Sequence, residues 1–185
     1  MDERSKSNFE ADVQTAVDSI QKGDPSGMRK LVTCVGPRLF GFLLRLLGNQ
    51  ADAEDVLQET FSILSKKSSQ QNPVRGSAVG WVFSIAKHEA CHLIRKRGRE
   101  SDLMENLIIL KGPSENAERQ ISSGNLHNAL NTLPLDFKIP LLMKEFLDLS
   151  YSEIAQLTDK NVNQVAQEIY RARSQLRVIL KEESK

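Results

Sequence analysis

The sequence predicts an all-α protein built as two small helical domains joined by a flexible linker. Three observations predict it. Apolar residues recur at three- and four-residue spacing through most of the chain, the period of helices with one buried face. No segment alternates apolar and polar residues as a half-buried strand would. The stretch "GRESDLMENLIILKGPSENAERQ" interrupts the pattern with acidic and turn-forming residues around a short apolar run, a composition suited to a tether. The domains are accordingly set at residues 1–98 and 121–185, with 99–120 between them.

A first helix is expected from about Phe9 to Lys22, where "GDPSG" breaks it. A second covers roughly Pro25 to Leu47 and contains Pro37, expected to kink it because proline removes one backbone donor. "GNQAD" makes the next turn, with Asn49 or Asp52 as cap. The third helix, about Asp52 to Lys67, has a core stripe of Ala53, Val56, Leu57, Thr60, Phe61 and Leu64. Its opposite face carries Asp55, Gln58, Glu59 and Ser62. After the loop "SSQQNPVRGS", a fourth helix runs from about Ala78 to Arg97, with Trp81, Val82, Ile85, Ala86 and Leu93 turned inward.

Beyond the linker, helices are expected at about Ile121–Leu133, Asp136–Leu147 and Tyr151–Leu157. Pro140 falls early in the second of these, where a lost donor costs little. "SYSE" is a capping box of Ser150 and Glu153. The last helix begins near Asn161 and reaches about Lys181, on a stripe of Val162, Val165, Ile169, Ala172, Leu176 and Ile179. A short capped helix, the tight turn "TDKN" and a longer helix form a helix-turn-helix pattern. Asp159 in that turn tolerates a left-handed backbone better than most residues.

Charged residues make up 26% of the 185 and the formal net charge is only +1. A nucleic-acid binder needs basic residues gathered on one surface and no overall basicity. Four of the five residues from Arg95 to Arg99 are cationic, and Lys87 joins them as a candidate phosphate contact. The cysteines Cys34 and Cys91 are read as small hydrophobes in a reducing compartment. The polar N-terminus "MDERSKSNFEAD" is neither a signal peptide nor a membrane span, and "LFGFLLRLLG" is too short to span and carries Arg45. A soluble cytoplasmic protein with no membrane partner is expected.

"HEACH", residues 88–92, fits the H-E-x-x-H pattern of a zinc peptidase helix. The extended pattern would want glycine at 95 and histidine at 98, where the chain has Arg95 and Gly98. His127, the one other histidine, lies across the linker, and cationic neighbours oppose a divalent ion. The stretch is therefore read as part of the fourth helix, with Glu89 pairing His92, and no metal or cofactor is expected.

Several blocks, in order, resemble bacterial RNA polymerase sigma factors of the compact extracytoplasmic-function (ECF) group. "GNQADAEDVLQETFSIL" is similar to region 2, and residues 52–61 fit its D-A-E-D-hydrophobic-x-Q-E-x-F run throughout. "GWVFSIAKHEACHLIRKR" looks like the tryptophan-led helix that follows there. "LPLDFKIPLLMKEFLDLSYSEIAQL" and "IYRARSQLRVIL" resemble region 4. The resemblance implies two tethered helical domains. The first would dock on the coiled coil of the polymerase β′ clamp and capture melted bases of the promoter −10 element. The second would bind the β flap and enter the major groove at the −35 element, and an anti-sigma factor is a possible partner.

Under that resemblance the polymerase-binding set is Asp52, Asp55, Gln58, Glu59 and Ser62, whose polar groups can bond arginines on a partner helix. The −10 set is Asn72, Arg75, Ser77, Trp81, Lys87, His88, His92, Arg95, Lys96 and Arg97. The family usually has asparagine near position 88 and aspartate near 92, so base preference there is expected to differ. The −35 set is Asn161, Asn163, Gln164, Gln167, Glu168, Tyr170, Arg171 and Arg173, since arginine pairs with guanine and glutamine with adenine. Family members usually place basic residues where this chain has Ala166 and Glu168, so −35 contact is expected to be weaker or unusual. The rival readings are a stand-alone helix-turn-helix regulator, a degenerate sigma-like protein that binds polymerase but reads DNA poorly, and, remotely, a zinc peptidase.

Overall fold

The computed structural model describes residues 3–68, 77–105 and 124–182. Among them are eight α-helices and no strand: α1 (Glu3–Gln21), α2 (Pro25–Leu47), α3 (Gln50–Ser68), α4 (Ala78–Glu105), α5 (Gly124–Asn131), α6 (Leu135–Leu147), α7 (Tyr151–Thr158) and α8 (Val162–Glu182).

Local chemistry sets most of the boundaries. Asp24 caps α2 by accepting from Ser26 N, and Pro25 occupies the first helical position, where its missing donor would have been unsatisfied anyway. Pro37 stands inside α2, which nevertheless runs unbroken to Leu47. Gly48 ends it at φ 78°, with its N–H on Leu44 O at 2.9 Å. Asn49 caps α3, accepting from Asp52 N at 3.1 Å. The Ser150–Glu153 capping box of α7 is complete in both directions, and Asp159 closes that helix at φ 54°. α4 continues through Gly98 to Glu105, past its expected end; a single mid-helix glycine weakens a helix by only about 1 kcal/mol.

The apolar stripes point where their spacing predicts. Val13 and Val17 of α1, Leu31, Leu39, Phe42 and Leu43 of α2, Ala53 and Leu64 of α3 and Val82, Phe83 and Ala86 of α4 are fully buried. Phe42 and Phe83 meet edge to face, centroids 5.8 Å apart, the arrangement that aromatic quadrupoles favour. Leu142, Met143, Ile154, Val165, Ile169 and Ala172 fill the C-terminal half. Val162, expected in the α8 stripe, is exposed because it opens the helix ahead of the packed turns.

These two sets belong to one connected core. α2 lies against α5 and α6, and α4 touches α7. The Arg45 guanidinium sits 4.2 Å from the Phe146 ring centroid. A Cβ placed on Gly48 would come within 3.1 Å of the His127 ring.

Candidate nucleic-acid and polymerase interface

α3 turns Ala53, Val56, Thr60 and Leu64 into the core, which leaves Asp55, Gln58 and Glu59 exposed on the opposite side with Ser62 half-buried beside them. Asp52, assigned to the same set, is not on that surface. Its side chain is buried and accepts both arms of the Arg97 guanidinium, Nη2 to Oδ1 at 2.5 Å and Nη1 to Oδ2. A bidentate pair of this kind is strong and directional. It pins the basic stretch of α4 to the first turn of α3, so Arg97 is held from the inside.

Of the −10 set, Asn72 and Arg75 lie outside the described residues. Ser77 caps α4, its Oγ accepting from Gly80 N at 3.0 Å. Trp81 is half-buried and packs on the core. Lys87 donates from Nζ to Leu157 O at 2.5 Å, across to α7. His88, His92, Arg95 and Lys96 are exposed along one edge of α4, and Arg99 beyond them is exposed too. Glu89 pairs with His88, Oε1 to Nδ1 at 3.0 Å, rather than with the exposed His92. Among the described residues no group of three or more His, Cys, Asp or Glu could hold a metal ion.

On α8 the −35 set divides in two. Asn163, Gln167, Tyr170 and Arg171 are exposed, Tyr170 at 75%. The others have internal partners. Asn161 and Gln164 cap the helix reciprocally, Gln164 N donating to Asn161 Oδ1 at 2.8 Å and Asn161 N to Gln164 Oε1 at 3.0 Å. Arg173 Nη2 donates to Glu145 Oε1 of α6 at 2.6 Å; that hydrogen bond raises its pKa. Glu168 Oε1 accepts from Lys160 Nζ at 2.7 Å.

Two of these arrangements were missed in the sequence. N-x-x-Q at a helix start is a variant of the capping-box signature and could have been found. The Lys160–Glu168 pair spans a turn and two helical turns and has no short-range signature.

Beside α8 an apolar cavity of about 460 Å³ opens between α2, α5, α6 and α8. Leu130, Leu142, Phe146 and Leu176 contribute to its lining, and Arg45, Arg173 and Arg177 bring charge to it. Cys34 and Cys91 are both half-buried, and burial pushes both thiols up, so neither has thiolate character at neutral pH. Among the described residues no helix is long and apolar enough to cross a membrane.

Comparison with known proteins gives this geometry a context. Residues 31–100 match Sigma-70 region 2, and residues 123–176 match Sigma-70, region 4. The ECF RNA polymerase sigma factor SigE of Mycolicibacterium smegmatis is 32% identical over 171 residues, which cover 88% of this chain and 66% of that protein. A probable RNA polymerase sigma factor of Haemophilus influenzae is 35% identical over 151 residues, covering 69% of this chain and 77% of that one. Among solved structures, the sigma factor RpoE in complex with the anti-sigma factor NepR from Bartonella quintana has a similar fold. Its TM-score is 0.69 at 22% identity, over 84% of this chain and 98% of that one. With both regions matched in order and relatives of the same kind, this chain belongs to the ECF group of the sigma-70 family of RNA polymerase sigma factors.

Proposed function

We propose that three separate polar faces divide the work of this sigma factor in promoter recognition and initiation. The exposed face of α3, Asp55, Gln58 and Glu59 with Ser62 at its edge, docks on the β′ clamp coiled coil through charge-assisted bonds. The exposed edge of α4, His88, His92, Arg95 and Lys96, meets the melted −10 strand, the cations on phosphates and the histidines near base edges. The outer face of α8, Asn163, Gln167, Tyr170 and Arg171, enters the major groove at the −35 element. The arginine-flanked apolar cavity suits an amphipathic, acidic partner helix, and the β flap is the assigned occupant, with an anti-sigma factor competing for it. The chain contributes binding energy and no bond-breaking step. Capture of unstacked bases shifts the closed–open equilibrium of the promoter complex. Work at the polymerase puts the protein in the cytoplasm.

The observation that carries this reading is the α3 face. Its acidic and amide side chains stay in solvent while the same helix buries its apolar stripe completely enough to fix its orientation. The test is run-off transcription with core polymerase on a genomic promoter library, alongside core-binding measurements. The wild-type chain is expected to initiate from a defined promoter subset. Glu59→Arg with Asp55→Arg is expected to abolish core binding while the fold is retained. Duplex binding without polymerase, together with failure to bind core, would favour the stand-alone regulator.

A further inference from the structure

Glu168 is the residue of α8 that fits a DNA-facing helix worst, because a carboxylate there is repelled by phosphate. Its side chain is nevertheless turned in: only 16% of it is exposed. Lys160 Nζ lies 2.7 Å from Glu168 Oε1 and 3.2 Å from Asp136 Oδ1, and the Lys160 side chain is itself 22% exposed. Lys160 belongs to the turn between α7 and α8, which it closes by donating from N to Ala155 O at 3.0 Å. Asp136 stands in the first turn of α6. One ammonium thus joins the turn, the recognition helix and α6. Burial alone would lower the Lys160 pKa, but its hydrogen bonds to Glu168 and Asp136 outweigh that and raise it. Lys160 stays charged throughout the working pH range. Glu168 Oε2, buried without a hydrogen-bond partner, makes the pair a poor source of stability and argues that its value is in placement.

We propose that Lys160 is a positioning residue for DNA reading: it holds the Glu168 carboxylate against α6 and away from the duplex. Asn163, Gln167, Tyr170 and Arg171 remain as the DNA-facing set. Glu168 then reads no base, and the absence of a basic residue at that position costs charge without adding repulsion. This inference rests on the assignment of α8 to the −35 element.

The test uses the full chain with core polymerase on a promoter library randomised across the −35 element, with core affinity and thermal midpoint measured for each variant. Lys160→Met is expected to weaken −35-dependent initiation by roughly tenfold, with core affinity unchanged, because the freed carboxylate faces phosphate. Adding Glu168→Gln in that background is expected to restore most of the loss. Glu168→Gln alone is expected to leave base preference as it was, and Lys160→Arg to keep activity. The salt dependence of promoter binding separates a phosphate contact from a positioning role. If Lys160 bound phosphate, the slope would drop by about one in Lys160→Met and Glu168→Gln would rescue nothing. That result, or a shifted base preference in Glu168→Gln alone, overturns the proposal. If Lys160→Met lowers the thermal midpoint severely, the charge-exchanged pair Lys160→Glu with Glu168→Lys decides: restored folding with −35 preference retained sustains the role, and restored folding with lost −35 preference overturns it. Arg171→Ala is the control for the underlying assignment; a −35 preference left unchanged there removes α8 from the DNA and the proposal with it, whatever the Lys160 variants do.

Discussion

Lys138 is 4% exposed and, among the described residues, its ammonium has one side-chain hydrogen bond, to Asn131 Oδ1 at 2.8 Å, and no carboxylate to balance it. Burial holds its pKa down to about 8, against an ordinary value of 10.5. Between those two values the unfolded chain binds more protons than the folded one, so this residue makes stability rise with pH from about 8 to 10.5. Lys138→Met is expected to raise the thermal midpoint at pH 7 by a few degrees, roughly 2–4 °C for each kcal/mol gained, and to abolish Lys138's share of the alkaline rise. Paired melts of the two proteins at pH 7 and pH 10 check this, and the comparison cancels the opposing titrations of Lys160 and the thiols. His88, 70% exposed on α4, has a functional counterpart: His88→Ala is expected to change −10 base preference and leave core affinity intact, read by competition between promoter variants. Single residues were the least legible part of the sequence. Lys87, Arg97 and Arg173 carried the right charge for a DNA surface and Glu168 the wrong one, but the cations have partners 28 to 70 positions away and Glu168 has one across a turn. Residue type cannot show that.

At the scale of elements the sequence was far more open, because a helix announces itself through local spacing and caps. The 3.6-residue period marked α3, α4 and α8, breakers such as GDPSG and Pro134 bounded their neighbours, and Ser150–Glu153 fixed the start of α7. What local spacing could not supply was the tie between α3 and α4. Arg97→Ala leaves the buried Asp52 carboxylate unpaired and is expected to cost about 1.5–3 kcal/mol in chemical denaturation. Arg97→Lys is expected to recover only part of it, since an ammonium cannot make both bonds at once. The same loss frees the basic end of α4 to move relative to the α3 face, so promoter opening is expected to fall further than stability alone would explain. A complementary substitution tests the C-terminal half. Asn161→Ala removes the acceptor for Gln164 N and is expected to cost about 1 kcal/mol, with −35 preference preserved because Asn161 is a cap.

The whole molecule keeps the two helical regions that the sequence suggests, matched at residues 31–100 and 123–176, and packs their helices together. One apolar core runs through both halves, and Lys87 caps the carbonyl end of α7 from α4. Such packing is invisible in sequence because Leu130, Leu141 and Phe146 read the same whether they face their own domain or another. In this arrangement the Lys87 ammonium is engaged by α7, so under the proposed −10 role of α4 it is expected to meet a phosphate only when that hydrogen bond is broken. Phe146→Ala, which removes the ring under Arg45, is expected to shift the chain toward a larger radius of gyration in solution scattering while each half keeps its helical signal.

Gly48 shows how tight that arrangement is at the end of α2. Its positive φ ends α2, and the bare Cα is also what lets the His127 ring approach. One methyl group there would strain the backbone and push against the imidazole together. A single added carbon atom is therefore enough to loosen the meeting of α2 with α5, a lever on the molecule no larger than the smallest side chains of its core.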